Sequence, residues 1–193
     1  MANANGKKFG LTALSPIKPG HCEELRFRLR AMDSKPYGSP LSGVNTIHMA
    51  RLAIINTLAF EGIPAKRDLL KSSYLLFMCD FDGATIDSLV AAMVANIPAT
   101  INEIWGHCIA YPGLTSRDQL TAYFERCQLE TNLFLADRPG DEVETILRGL
   151  LYKREFAKFV ATHQNNGLAF TKADFLNWWQ TLSGLPTPKP GSM

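Results

Sequence analysis

Apolar residues fall along this chain in two rhythms, and the switches between them mark out the elements. From Phe9 to Leu14 apolar and small residues alternate loosely, the period of a half-buried strand. Pro16, Pro19 and Gly20 then break the chain. Cys22, Leu25, Leu29 and Met32 recur three and four apart, one stripe of an amphipathic helix, with Glu24 and Arg28 as an i,i+4 pair on its wet side. Residues 34–45, rich in Ser, Pro and Gly, predict a loop long enough for a lid or a mouth. Two denser apolar runs, 46–58 and 73–80, follow on either side of a loop carrying Gly62 and Pro64; they predict paired central strands. After Gly83, the residues Ile86, Leu89, Val90, Met93, Val94 and Ile97 give the clearest helical template in the chain. Pro98 disturbs its end, and Trp105 to Tyr111 predicts a short fourth strand stopped by Pro112-Gly113.

Strand, helix, strand, strand, helix, strand is the order of a ferredoxin-like unit. The fold class that follows is α+β: a βαββαβ antiparallel sheet with helices on one face, plus a C-terminal helical extension. The other sheet face then needs a cover, which a second chain, the rest of this chain or a ligand could supply. Ser116 to Gln119 reads as a capping box opening a helix whose stripe is Leu120, Tyr123, Phe124 and Cys127. Thr131 to Ala136 predicts a short fifth strand. A long helix starts at Asp141, with Asp141, Glu142 and Glu144 near its positive end and Lys153, Arg154 and Lys158 further along, and Gln164-Asn165-Asn166-Gly167 ends it. Thr171, with Asp174 three residues on, starts a last helix that has Phe175, Trp178, Trp179 and Leu182 to bury. The expected organisation is a loose tail at 1–8, the α+β domain at 9–163, the helical extension at 164–185 and a flexible Pro/Gly-rich tail at 186–193.

Composition narrows the partners. A formal charge of +2, from 20 Lys and Arg against 18 Asp and Glu, offers no large field for nucleic acid or an acidic membrane. No run approaches the ~20 apolar residues that a membrane span needs, and the first residues lack the apolar core of a secretory signal. Cys22, Cys79, Cys108 and Cys127 form no C-x-x-C pair and sit in apolar patterns, which predicts reduced thiols and a cytoplasmic location. No metal site is expected from their spacing.

Few residues stand out as chemistry. His48 opens a strand-like run and could be a general base, a metal ligand or an axial haem ligand, or a histidine satisfied by the backbone. Strand parity sets Arg51 on the opposite face, as an ion-pair partner or a carboxylate clamp. Asp80 and Asp82 share a parity; they could hold a cation or a shared proton, or serve as turn and cap residues. His107 falls on the predicted fourth strand, about 14 Å from His48 if neighbouring strands are ~4.8 Å apart and these two are the outer ones. His21 and His163 fall on helices with exposed positions. Trp178 and Trp179 read as core anchors, an aromatic lid or a docking site. The chain lacks a dinucleotide fingerprint, a phosphate-binding loop, a zinc-protease helix and a nucleophile elbow.

Thr46 to Arg51, Tyr74 to Phe77 with Asp80 to Gly83, and Ile104 to Cys108 with Tyr111-Pro112-Gly113 are where the chain resembles a bacterial group. That group comprises ferredoxin-like, dimeric α/β-barrel-type proteins described as peroxidase-related, remotely similar to dye-decolourising peroxidases and chlorite dismutases. The resemblance spans roughly residues 9–160. It implies a ferredoxin-like core, a homodimer, and a haem or small organic ligand in the sheet cavity. No stretch matches the haem-binding motif of those enzymes; His48 is the nearest candidate by position. Two functions are therefore expected. One is a small-molecule enzyme, in its strongest form a haem-dependent, peroxidase-like oxidoreductase. It would use His48, Arg51, Asp80 and Asp82 for catalysis and His48 and His107 for a cofactor. The other is a non-catalytic ligand-binding or protein-interaction subunit of a larger enzyme system.

Overall fold

The computed structural model describes residues 3–32, 38–57, 62–63, 70–165 and 171–192. The end of the 46–58 run, Ser34 and Pro36 in the first loop, Pro64 in the second, and the Asn166-Gly167 stop lie outside the described residues.

Four strands form one antiparallel sheet, β1 (Ala4–Asn5), β2 (Lys8–Pro16), β3 (Ile47–Ile55) and β4 (Tyr74–Asp82), in the order β1-β2-β4-β3. β2 and β3 both run antiparallel to β4, which lies between them. The first helix, α1 (Cys22–Met32), connects β2 to β3. The helices that follow the sheet are α2 (Ile86–Asn96), α3 (Pro98–Trp105), α4 (Arg117–Cys127), α5 (Val143–Asn165) and α6 (Lys172–Ser183). The class is mixed α and β, with an antiparallel sheet.

Period two decides what the sheet buries. Phe9, Leu11, Ala13 and Ser15 of β2 and Leu75, Phe77, Cys79 and Phe81 of β4 are all buried. Onto this face pack Leu25 of α1, Leu89, Val90 and Met93 of α2, Ile101, Ile104 and Trp105 of α3, and Leu120, Tyr123 and Phe124 of α4. Phe77, Trp105 and Phe124 lock together edge to face, with Trp105 centred 5.2 Å from Phe77 and 5.1 Å from Phe124.

The expected fourth and fifth strands do not form. Pro98 does not merely end α2; it takes the first turn of α3, where its missing N–H and fixed φ cost nothing. Ile101, Ile104 and Trp105 then follow helical spacing, so His107 lies in the turn after a helix and not on a strand. That turn still borders the sheet: Ile17 and Cys108 form an isolated bridge, and the Ile109 amide donates to the Pro16 carbonyl at 2.7 Å. Residues 131–136 have no regular structure; Gln128 bridges Ala13, and the Leu129 amide donates to Thr12 O at 2.7 Å. The edge of β2 that a fourth ferredoxin strand would take is therefore shared between β1 and these short contacts. Residues 4–5, expected as loose tail, form β1, and the Gly10 amide donates to Asn3 O. Phe134 lies on Gly10, where a Cβ would sit 2.8 Å from its ring.

Aromatic side chains hold the last two helices together. Trp178 stacks 5.0 Å from Phe159 and 5.7 Å from Phe156, while Trp179 sits 5.3 Å from Tyr152. The Thr171/Asp174 capping box opens α6 as its sequence predicts. Thr187, in the expected flexible tail, accepts from Arg148 and donates to Glu144. No described helix is long and apolar enough to cross a membrane.

Candidate functional site

β3 does not run regularly through His48. Ile47 pairs with Phe81 and Met49 with Asp80, so His48 is the extra residue of a bulge. A bulge resets parity. Ile47 joins Ala50, Leu52 and Ile54 against the core, and His48 leaves the face that alternation assigns it. Its ring turns to the opposite side, where Nε2 lies 2.6 Å from Asp82 Oδ1. Both side chains are largely shielded, at 13% and 14% exposure.

Asp82 uses its second oxygen as well. Oδ2 accepts the Val143 amide at 2.8 Å, at the first residue of α5. A carboxylate facing the orphan amides of a helix start satisfies a donor and favours the helix dipole. Asp82 is thus a cap, but for a helix 61 residues away and not for the adjacent α2, which Thr85 caps by accepting from the Ser88 amide. Lys7, ion-paired to Glu142 at 2.9 Å, braces the same junction. Asp80 lies beside this pair. Burial raises its pKa, and the nearby His48 and Lys8 partly offset the rise. Arg51 is two register pairs further, opposite Met78, and exposed; the bulge turns His48 to the same side of the strand, so the two do not face opposite sides as parity predicts. The four catalytic candidates thus divide into a structural pair, His48 and Asp82, with Asp80 beside it and Arg51 displaced from it.

His107 meets a different partner. His21 Nδ1 and His107 Nδ1 are 3.0 Å apart, and the rings meet edge to face at 5.3 Å. Glu24 completes a group of three whose ligand atoms all lie within 4.8 Å of one another. His21 and Glu24 share a face because they are three residues apart at the start of α1. The backbone holds the group from both sides: the Lys18 amide donates to His107 O at 2.9 Å, and the His21 amide donates to Lys18 O at 3.1 Å. Lys18 Nζ also donates to Gly106 O.

His107 is buried, His21 half-buried and Glu24 exposed, so the group opens to solvent on one side. Burial lowers the His107 pKa, and the cations of Lys18 and Arg28 act in the same direction against Glu24. Glu24 accepts from Arg28 at 3.0 Å, which lowers its own pKa. Two imidazoles and one carboxylate form a donor set for a borderline divalent ion. The His-x-x-Glu spacing of His21 and Glu24 is the one local signal of it in the sequence. His107, 86 residues from His21, is brought to it by tertiary contacts, the Ile17–Cys108 bridge and the Lys18 bonds to the 106–107 carbonyls.

The four cysteines are free thiols. Burial pushes the Cys108 thiol up to about 12 and raises that of Cys79, so neither is a ready nucleophile. Along α5 a cleft of about 320 Å³ is lined by Glu142, Glu144, Thr145, Arg148, Gly149 and Tyr152. Arg148 is engaged there by Tyr152, Thr187 and the Ser183 carbonyl.

The chain matches no protein-family model, no curated protein and no solved structure.

Proposed function

We propose that the protein is a non-catalytic interaction subunit that pairs with a second copy of itself along β3. The observation that carries this reading is the strand's edge. Among the described residues β3, a strand of nine residues and mostly apolar sequence, pairs with β4 alone. Met49 is 64% exposed, and Met78, opposite Arg51, is 39% exposed. An apolar edge of this length is a template for another strand. Two identical edges meet antiparallel about a two-fold axis, the commonest symmetry of homo-oligomers. The engagement of His48 and Asp82 in closing α5 onto the sheet supports the non-catalytic side of the reading.

Sedimentation of the untagged full chain at micromolar concentration tests it. A mass twice that of the chain is expected. Replacing Met49 and Ala53 together by Lys should give a folded monomer, because charge on an edge blocks strand addition. A wild-type monomer, or a folded Lys variant that stays dimeric, rejects the proposal.

A second reading, a small-molecule enzyme with His48 as its acid–base group and Asp80 and Arg51 in support, has the short His48–Asp82 contact in its favour. Its haem-dependent, peroxidase-like form predicts a Soret band in natively purified protein. Colourless protein that also fails reconstitution with haem rejects that form.

A further inference from the structure

We propose that His21, Glu24 and His107 form a binding site for a borderline divalent transition-metal ion, with zinc as the representative. The site is independent of the β3 edge and of the His48–Asp82 pair, so it does not rest on the pairing of copies.

Geometry makes the argument. Zinc holds imidazole nitrogens at about 2.0–2.1 Å, so two such ligands at 90–109° stand about 2.9–3.4 Å apart. His21 Nδ1 and His107 Nδ1 are 3.0 Å apart, within that range. The same two atoms would converge on the ion. Without metal, one ring donates its Nδ1 proton to the other. With metal, the donating ring needs only to move that proton to Nε2, leaving both Nδ1 lone pairs free. The rings lose no net proton.

The third ligand atom is within 4.8 Å of the other two, so the Glu24 side chain closes on the ion by rotation about its own bonds. Arg28 bridges Glu24 and Glu103, at 3.0 and 3.3 Å. It can orient the Glu24 carboxylate from the outer sphere, as partners of metal-bound carboxylates do, and Glu103 remains as its partner when Glu24 turns. The protein side is rigid where rigidity matters. His107 sits in a turn fixed by the Ile17–Cys108 bridge, and its carbonyl is held by the Lys18 amide. His21 is fixed by its amide bond to Lys18 O and by the Leu25 amide, which donates to its carbonyl. Three protein ligands leave a position for water on the exposed side. An ion here would tie the start of α1 to the turn after α3.

The test uses the full chain, untagged and stripped with a chelator. Zinc uptake is followed by competition with a chromophoric chelator, and cobalt uptake by its visible absorption. One ion per chain is expected, at low-micromolar affinity or tighter, with nitrogen ligation in the cobalt spectrum and a raised melting temperature. His21→Ala and His107→Gln should each weaken binding by more than about 10-fold, the loss that disturbing an outer-sphere partner alone can produce. His48→Gln should leave it unchanged. Circular dichroism establishes that each variant is folded. The proposal is overturned by absent saturation up to millimolar zinc, or by uptake that persists in the folded His21→Ala/His107→Gln double variant. It is overturned equally if His48→Gln abolishes uptake.

Discussion

The two histidine pairs of this protein look alike by distance and differ in what surrounds them. His48 meets Asp82 at 2.6 Å, and His107 meets His21 at 3.0 Å. Around the first, each group is committed to structure, since Asp82 takes the His48 ring on one oxygen and the α5 start on the other. Around the second, two like nitrogens face one another, with a carboxylate beside them and solvent on one side. A histidine bonded to a helix-capping carboxylate stabilises a junction. A histidine bonded to another histidine holds a proton that can shift to its far nitrogen and leave both near nitrogens to a metal ion. Proximity alone therefore does not distinguish structure from chemistry; the remaining valences of each partner do.

The largest effect that separates the pairs should come from Asp82→Ala. Losing a cap costs about 0.5–2 kcal/mol. Leaving a buried polar partner unpaired costs a further ~1–3 kcal/mol. Denaturant unfolding should show a loss of about 1.5–5 kcal/mol from these two terms. Faster amide exchange at the start of α5 should accompany it. A loss below about 1 kcal/mol would mean that the junction is held by other contacts, such as Lys7–Glu142.

The second pair should respond less in the absence of metal. His107→Gln removes one neutral hydrogen bond, worth about 0.5–1.5 kcal/mol. Unfolding in chelator should show a change of that size. If His107→Gln destabilises the metal-free chain as much as Asp82→Ala, the contrast between the pairs fails.

The smallest effect is pH-dependent. Burial holds the Asp80 pKa above its ordinary 3.8, so the folded state binds the proton more readily than the unfolded one. Stability from this group is therefore lost as pH rises from that value through the raised one, and stays lost at neutral pH. Asp80→Asn removes the penalty. Its melting temperature should exceed that of the wild type at pH 7, and the gain should vanish at acid pH. Equal melting points at pH 7 would show that His48 and Lys8 fully offset the burial.

Legibility differs from element to element. β2, β3, β4, α1 and α2 are readable because each carries an apolar period on a continuous segment. The capped starts of α4 and α6 are readable because Ser116 and Thr171 act within three residues. Residues 105–111 mislead because Trp105, Cys108 and Tyr111 suit either period over so short a run. Pro98 looks like a terminator and is an initiator, two roles that proline fills with equal ease. His48, Asp80 and Asp82 stand out from the chain and are neighbours in the fold. The bulge that turns His48 towards Asp82 leaves no mark in the residue types. His21 reads as an exposed helical residue because its partner lies 86 residues further along the chain.

The sequence by itself determined the class of the fold, the central strands and the positions of most helices, because each depends on periodicity and on caps that act within a few residues. Only the tertiary structure decided which helix Asp82 caps, which way His48 points and what His21 meets. Those depend on contacts between residues 34, 61 and 86 positions apart. Such contacts are set by how whole elements pack against the sheet, and side-chain chemistry along the chain carries no record of that packing.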